Sequence, residues 1–220
     1  MNHYVRLIRR HRSEILACGL VGLMLASPIE DKHPHIGGIV AVLEFGLLLL
    51  GAGWIADRTV IRRLALPVGA VWLVARLLEA LGNSHERYTH LSPVAGLALS
   101  CSILIALFGK FRKVENVTSS VISEAFITYL VIAIAFSQLY WILDHFVANA
   151  FDTQVSLRSS STFLYFSMIT LSGLGYSNIF PANDTIRLLA AFENMLGLFY
   201  IAVVVSRLVS AYRAETQGDD

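Results

Sequence analysis

Charge is what this 220-residue chain has least of. Asp, Glu, Lys and Arg together make up 15% of it, against about 25% in an ordinary soluble domain. The net charge of +1 is not the strongly basic balance of a phosphate-binding chain, so no nucleic-acid partner is expected. Cysteine is almost absent. Cys18 and Cys101 both lie in apolar segments, so neither a disulfide between them nor a zinc site is expected. No nucleophile, base and orienting group fall at catalytic spacing, so the chain is not expected to be an enzyme or to carry a cofactor. The polar tail from Ala214 to Asp220 is too short for a ligand-binding regulatory domain.

Apolar residues fill the space that charge leaves. They are 55% of the chain, and mean hydropathy is +0.62, the composition of an integral membrane protein. The pattern predicts an all-α membrane protein with six transmembrane helices, over Ile15–Ser27, Ile39–Ala56, Leu64–Gly82, Val94–Gly109, Ser123–Val147 and Ile186–Ala211. A span needs about 20 apolar residues, so the first and fourth must borrow from their flanks. The run Phe163–Leu171, between the fifth and sixth, is too short to cross and fits a re-entrant helix, which is tolerated where it borders a water-filled cavity. Arg6, Arg9, Arg10 and Arg12 precede the first span, Arg58, Arg62 and Arg63 follow the second, and Lys110, Arg112 and Lys113 follow the fourth. By the positive-inside rule these clusters put both termini in the cytoplasm, with the multi-pass chain in the plasma (inner) membrane. A signal peptide ending at Ser27-Pro28 is the rival reading of the first span; it leaves five. Val114–Ile122 is more polar and suits an amphipathic cuff on the inner interface. Its sequon Asn116-Val117-Thr118 lies on the cytoplasmic side, where no glycosylation is expected.

The most informative stretch is Ile169-Thr170-Leu171-Ser172-Gly173-Leu174-Gly175-Tyr176-Ser177-Asn178-Ile179-Phe180-Pro181. A short apolar helix, a Gly-x-Gly-Tyr turn and a Pro exit resemble the pore loop of potassium channels, Thr-x-Thr-Thr-Val-Gly-Tyr-Gly-Asp followed by an apolar pair and Pro. The resemblance covers about Ser120–Tyr212. The last span, Arg187-Leu188-Leu189-Ala190 through Gly197-Leu198-Phe199-Tyr200 to Arg207-Leu208-Val209, looks like the inner helix of small bacterial six-span channel-like proteins.

The resemblance implies a selectivity filter over Ser172, Gly173, Leu174, Gly175, Tyr176 and Ser177, whose carbonyls bind K⁺ in place of water. It implies support from Thr170, Asn178 and Pro181, and an inner-helix hinge at Gly197. One loop per chain implies a homotetramer in the lipid bilayer, with monovalent cations as the permeant ions. Alternating unusual dihedrals are needed to aim successive carbonyls inward, and glycine tolerates them. Three positions depart from the pattern. Gly173 replaces the threonine of the innermost ion site. Ser177 replaces the outer glycine and would need a positive φ, and Asn178 replaces an aspartate. All three weaken K⁺/Na⁺ discrimination, and restoring Thr, Gly and Asp is the natural test of them.

Glu193 is ionisable and at membrane depth, a functional candidate by default. It either sits behind the pore helix, accepting from Thr170 or Ser172, or faces the cavity and concentrates cations; its spacing from Pro181 favours the first. Leu198, Ile201, Ala202 and Val205 would line the cavity, with an apolar gate near Val205 or Val209; plain helix packing explains the same stripe equally well.

Residues 1–113 read as a four-helix transmembrane N-terminal domain, 114–213 as the pore domain of outer helix, pore helix, filter and inner helix, and 214–220 as a short polar tail. Val94–Gly109 contains no arginine, so a conventional voltage sensor is not expected. Glu44 and Arg76 lie at matching depth and suggest a transmembrane ion pair, with Glu79 a competitor for Arg76. His33, His35, His85 and His90 fall on the outer side and His145 near it; such imidazoles can sense pH or bind a metal, though loop histidines are more often merely solvated, and His145, beside Asp144 and Trp141, is nearest the mouth. The rival functions are a non-selective or Na⁺-permeable channel, a non-conducting channel-like subunit, and an ion transporter, which would carry four unequal loops in one chain.

Overall fold

A computed structural model describes residues 12–32, 43, 46, 66–81, 91–111, 119–153, 159–175 and 178–217. The elements among them, in order, are α1 (Arg12–Lys32), α2 (Leu66–Leu81), α3 (Leu91–Phe111), α4 (Ser119–Phe146), β1 (Phe151–Thr153), α5 (Ser160–Leu171), β2 (Ile179–Pro181) and α6 (Asp184–Gln217). The first, fourth and sixth apolar segments thus fall within α1, α3 and α6, and Phe163–Leu171 within α5; α2 covers residues 66–81 of the third segment, whose other residues lie outside the described ones, and α4 covers the fifth up to Phe146, one residue short of its end. The second segment, Ile39–Ala56, lies outside the described residues apart from 43 and 46.

The helix ends follow local chemistry. Pro67 and Pro93 stand in the first turns of α2 and α3, where a missing N–H costs no intrahelical bond. Asn183 caps α6: its Oδ1 accepts from the Thr185 N–H at 2.9 Å and its carbonyl from the Arg187 N–H, with Asp184 in the first turn complementing the helix dipole. Inside the helices, buried hydroxyls bond their own backbone. Thr128 donates to the Glu124 carbonyl and Ser137 to the Ile134 carbonyl, both at 2.8 Å, which satisfies them among apolar neighbours.

Two helices among the described residues are long and apolar enough to cross a membrane, Val121–Phe146 and Asp184–Arg207. The first four residues of α4 are the end of the expected interfacial cuff; they continue the helix instead of forming a separate element. Residues 112–118, with the rest of the cuff and the sequon, lie outside the described residues. At 12 residues, α5 is about 18 Å long and cannot cross a hydrocarbon layer of about 30 Å.

α4 is the hub, packed against α1, α3, α5 and α6. One core joins Leu16 and Leu20 of α1, Trp72 of α2, Leu99, Ile103 and Leu107 of α3, and Ile127, Leu130, Val131 and Ile134 of α4. Gly96 lets two polar groups into the seam: a Cβ there would lie 3.1 Å from Trp72 Nε1 and 3.2 Å from Gln138 Cδ. A second core surrounds α5 on the side of β1 and β2, with Tyr140, Phe151, Phe163, Phe166, Ile179 and Ile186. Its rings meet edge to face, Tyr140 with Phe166 at 5.0 Å and 74°, and with Phe151 at 5.8 Å and 89°, the geometry aromatic quadrupoles favour.

The chain is not purely α-helical, as composition suggested. β1 and β2 form a two-stranded antiparallel sheet, with Phe151 opposite Pro181, Asp152 opposite Phe180 and Thr153 opposite Ile179. Asn149 takes the left-handed conformation (φ 54°) that turns the chain from α4 into β1, a conformation asparagine tolerates. The sheet ties the segment after α5 back to the end of α4.

Candidate functional site

The expected filter begins where α5 stops, and a glycine stops it. Gly173 has φ 77°. Its N–H bonds the Thr170 carbonyl at 3.1 Å, and the Leu174 N–H bonds the Ile169 carbonyl at 3.0 Å. These are the paired bonds of a Schellman motif, with Gly173 at the left-handed position after the helix cap. Where the sequence suggested only a lost threonine, Gly173 is the residue that ends α5 and turns the chain. Gly175 follows at φ 73°. Between the two glycines Leu174 has no positive φ, so the dihedrals alternate over 173–175, as carbonyl-lined segments require.

The segment is held at both ends. At its base, Leu198 of α6 reaches Gly173: a Cβ there would stand 3.4 Å from Leu198 Cδ2. At its far end Ile179 is buried and enters β2, Pro181 pairs with Phe151, and the Ala182 N–H donates to the Ala150 carbonyl at 3.0 Å. In between, Ser172, Gly173, Leu174 and Gly175 are exposed, Leu174 by 58%, and so is Asn178. Tyr176 and Ser177 lie outside the described residues. Residues 172–175 are therefore uncovered by their own chain, while the stretch is fixed before and after.

α6 grips α5 at three consecutive points. The first is Glu193, fully buried behind α5. This is the first of its two sequence alternatives, with other partners: Tyr140 of α4 donates to Oε2 at 2.6 Å, and Ser167 of α5 is 2.5 Å from Oε1. Thr170 and Ser172 are engaged elsewhere. The Ser172 hydroxyl bonds the Ile169 carbonyl, and the Thr170 carbonyl accepts from Asn194 Nδ2 at 2.9 Å. That bond is the second point of grip, and it falls on the carbonyl that also receives Gly173. The third is Gly197. A Cβ on it would collide with the Leu171 carbonyl oxygen and stand 2.8 Å from the carbonyl carbon. Gly197 therefore has a packing reason independent of any hinge: the end of α5 lies on its backbone.

Asn194→Leu is expected to cost about 1 kcal/mol, because the Thr170 carbonyl keeps its Gly173 partner and loses one bond. That is a melting temperature lower by about 3 °C, read by thermal unfolding of the purified protein. The base of the loop loses a fixed point at the same time.

Of the other sequence candidates, Leu198, Ile201, Ala202 and Val205 lie on the part of α6 that its own chain leaves exposed. The bare surface extends through Leu188 (73% exposed), Met195 (68%) and Phe199 (72%). The Val209 side chain, the Glu44–Arg76 pair with Glu79, and His33, His35, His85 and His90 lie outside the described residues. His145 is exposed at the end of α4, its ring 5.1 Å from that of Phe146; Trp141 packs on the second core.

Tyr140, Ser167, Asn194 and Tyr200 were not foreseen. The Tyr200 hydroxyl donates to the Ala125 carbonyl of α4 at 2.7 Å and ties α6 to the first turns of α4. All four are polar residues within apolar helices, and that was the signal available for them.

Residues 122–214 match the family model described as "Ion channel". Compared with curated proteins and with solved structures, the chain matches none. The match begins in α4, ends in α6, and takes in the loop, its sheet and the hydrogen bonds described above that hold them.

Proposed function

We infer that this chain, whose residues 122–214 match the ion-channel family model, works as a potassium-channel-like homotetramer that conducts K⁺ passively across the membrane. The observation that carries this conclusion is the loop 172–175: exposed, turned by two left-handed glycines, and fixed at both ends. A carbonyl-lined filter needs such a segment from each of several copies around one axis. The bare apolar side of α6 would then meet lipid and neighbouring copies. α5 ends at the loop, so the negative end of its dipole would favour cations there. Six spans per chain, cytoplasmic termini and a plasma (inner) membrane location complete the proposal, with K⁺ at carbonyls of Ser172 through Ser177 and an apolar cavity of Leu198, Ile201 and Val205 beneath. Conduction of this kind needs no catalytic residue and no cofactor.

A second reading, a weakly selective channel that also passes Na⁺, is favoured by Gly173, which offers the innermost site no hydroxyl oxygen.

The test is flux from liposomes containing the purified protein, with K⁺, Na⁺ or Cl⁻ in turn as the only permeant ion. K⁺ flux well above Na⁺ flux is expected. Comparable K⁺ and Na⁺ flux establishes the second reading. Chloride flux equal to that of K⁺, or no flux of any ion, overturns both.

A further inference from the structure

We infer that Glu193 is a positioning residue that acts as a neutral carboxylic acid, its proton completing a hydrogen-bond chain that ties α4, α5 and α6 together behind the loop. The inference rests on the conduction assigned above and deepens it: the proton on Glu193 becomes part of what keeps the filter in its conducting shape.

The number of protons available decides the charge of Glu193. Three oxygen–oxygen contacts run in series: Tyr140 Oη to Glu193 Oε2 at 2.6 Å, Glu193 Oε1 to Ser167 Oγ at 2.5 Å, and Ser167 Oγ to the Ala133 carbonyl oxygen at 2.8 Å. Each needs one proton. A phenol supplies one, a serine hydroxyl supplies one, and a backbone carbonyl supplies none. If Glu193 is ionised, two protons serve three contacts. The Ser167 hydroxyl must then choose between Glu193 and Ala133, and two bare oxygens are left face to face. If Oε1 carries a proton, every contact is filled: Tyr140 donates to Oε2, Glu193 donates to Ser167, and Ser167 donates to Ala133. The two shorter distances suit hydrogen bonds of a carboxyl group in either charge state, so the count decides.

The surroundings agree. Glu193 has no exposed surface, and Phe166 and Ala190 belong to the core beside it. Among the described residues, the groups that act on it are the Ser167 and Tyr140 hydroxyls, with no cation among them. An unpaired buried carboxylate is costly enough that such groups neutralise instead. The titratable groups facing Glu193 are Tyr140 and Tyr129, both from α4; α5 presents Ser167, which does not titrate.

Glutamine is the diagnostic replacement. Its Nε2–H donates to Ser167 and its Oε1 accepts from Tyr140, so it reproduces the neutral acid and cannot lose the proton. Alanine removes both links.

The experiment compares the full chain with Glu193→Gln and Glu193→Ala in three ways. In infrared spectra at neutral pH, the wild type is expected to show a carboxylic-acid C=O band that Glu193→Gln lacks. In thermal unfolding, Glu193→Ala should melt about 5 °C lower or more, since buried hydroxyls lose their partners, and Glu193→Gln should recover most of that loss. In liposomes, wild-type K⁺ flux should fall severalfold as pH is raised through the alkaline range, while flux through Glu193→Gln stays level. Both tyrosines remain in the glutamine variant, so an alkaline fall that persists there belongs to them and overturns the inference. No acid band at neutral pH, or a glutamine variant that melts like the alanine one, overturns it as well. The infrared and melting results do not depend on conduction. A protein that passes no ions would defeat the proposed function, while the state of Glu193 would still be decided by its spectrum.

Discussion

Gly197→Ala is expected to abolish conduction and to lower the melting temperature by about 10 °C. On an exposed helix face the same change would stabilise the chain by about 1 kcal/mol, since alanine is the better helix former. Here the sign reverses. The added Cβ would collide with the Leu171 carbonyl oxygen and come within 2.8 Å of its carbon. Neither partner is the movable end of a side chain: one is fixed in α6 and the other is backbone in the last turn of α5. Overpacking typically costs 1–3 kcal/mol, so about 3 kcal/mol per chain is reasonable for two backbones forced apart, and that corresponds to about 10 °C in a chain of this size. The shift falls on the residue just before Ser172, so the loop moves with it. Melting curves and liposome flux of the purified variant check both parts. A variant that melts at or above the wild type, with flux intact, would mean that α5 does not rest on Gly197.

Gly173→Thr is expected to silence the channel rather than sharpen its selectivity. From the sequence alone, threonine looks like a restoration, because it returns a hydroxyl to the innermost ion site. Space does not forbid it: the nearest atom to a new Cβ, Leu198 Cδ2, is 3.4 Å away, an ordinary contact. Conformation does. At φ 77° an L-residue pays about 1–2 kcal/mol, and a β-branched one is a genuine outlier there. Four copies around one axis would carry about 4–8 kcal/mol of strain at a single level of the filter. The Schellman bonds from Gly173 and Leu174 to Thr170 and Ile169 would loosen, and with them the alternation on which inward carbonyls depend. Reversal potentials in mixed K⁺ and Na⁺ solutions check the prediction. Current through Gly173→Thr with a higher K⁺ preference than wild type would show that Gly173 leaves its left-handed conformation in the conducting state.

Much of the frame was legible in the sequence because it rests on local chemistry. The apolar runs gave α4 and α6, and the short run Phe163–Leu171 gave α5. The spacing of Gly173 and Gly175 marked the segment that bends between them. Glu193 stood out because a carboxylate in an apolar helix needs an explanation, and its spacing from Pro181 placed it behind α5. Its partners were not legible. Tyr140 and Ser167 lie 53 and 26 residues away, on helices whose rotation about their axes the pattern left open. Thr170 and Ser172, nearer the loop, drew the expectation instead, although Thr170 offers its carbonyl to Asn194 and Ser172 bonds within its own turn. The two-stranded sheet escaped notice because three-residue strands carry no periodicity. Gly173 was read through what the resembling loop has at that position, which hid its own task of ending α5. Gly197 was marked for a hinge, while its contact with Leu171 emerges only when α5 and α6 are seen together.

The most direct test of the central claim is a structure of the assembled protein in a thallium salt, since Tl⁺ substitutes for K⁺ and scatters strongly. Four chains around one axis are expected, with Tl⁺ density on that axis at the level of the loop carbonyls from Ser172 to Gly175, and each loop still held by Asn194 and the β1–β2 pair. Tl⁺ absent from the axis, or loops that face away from one another in the assembly, would contradict it.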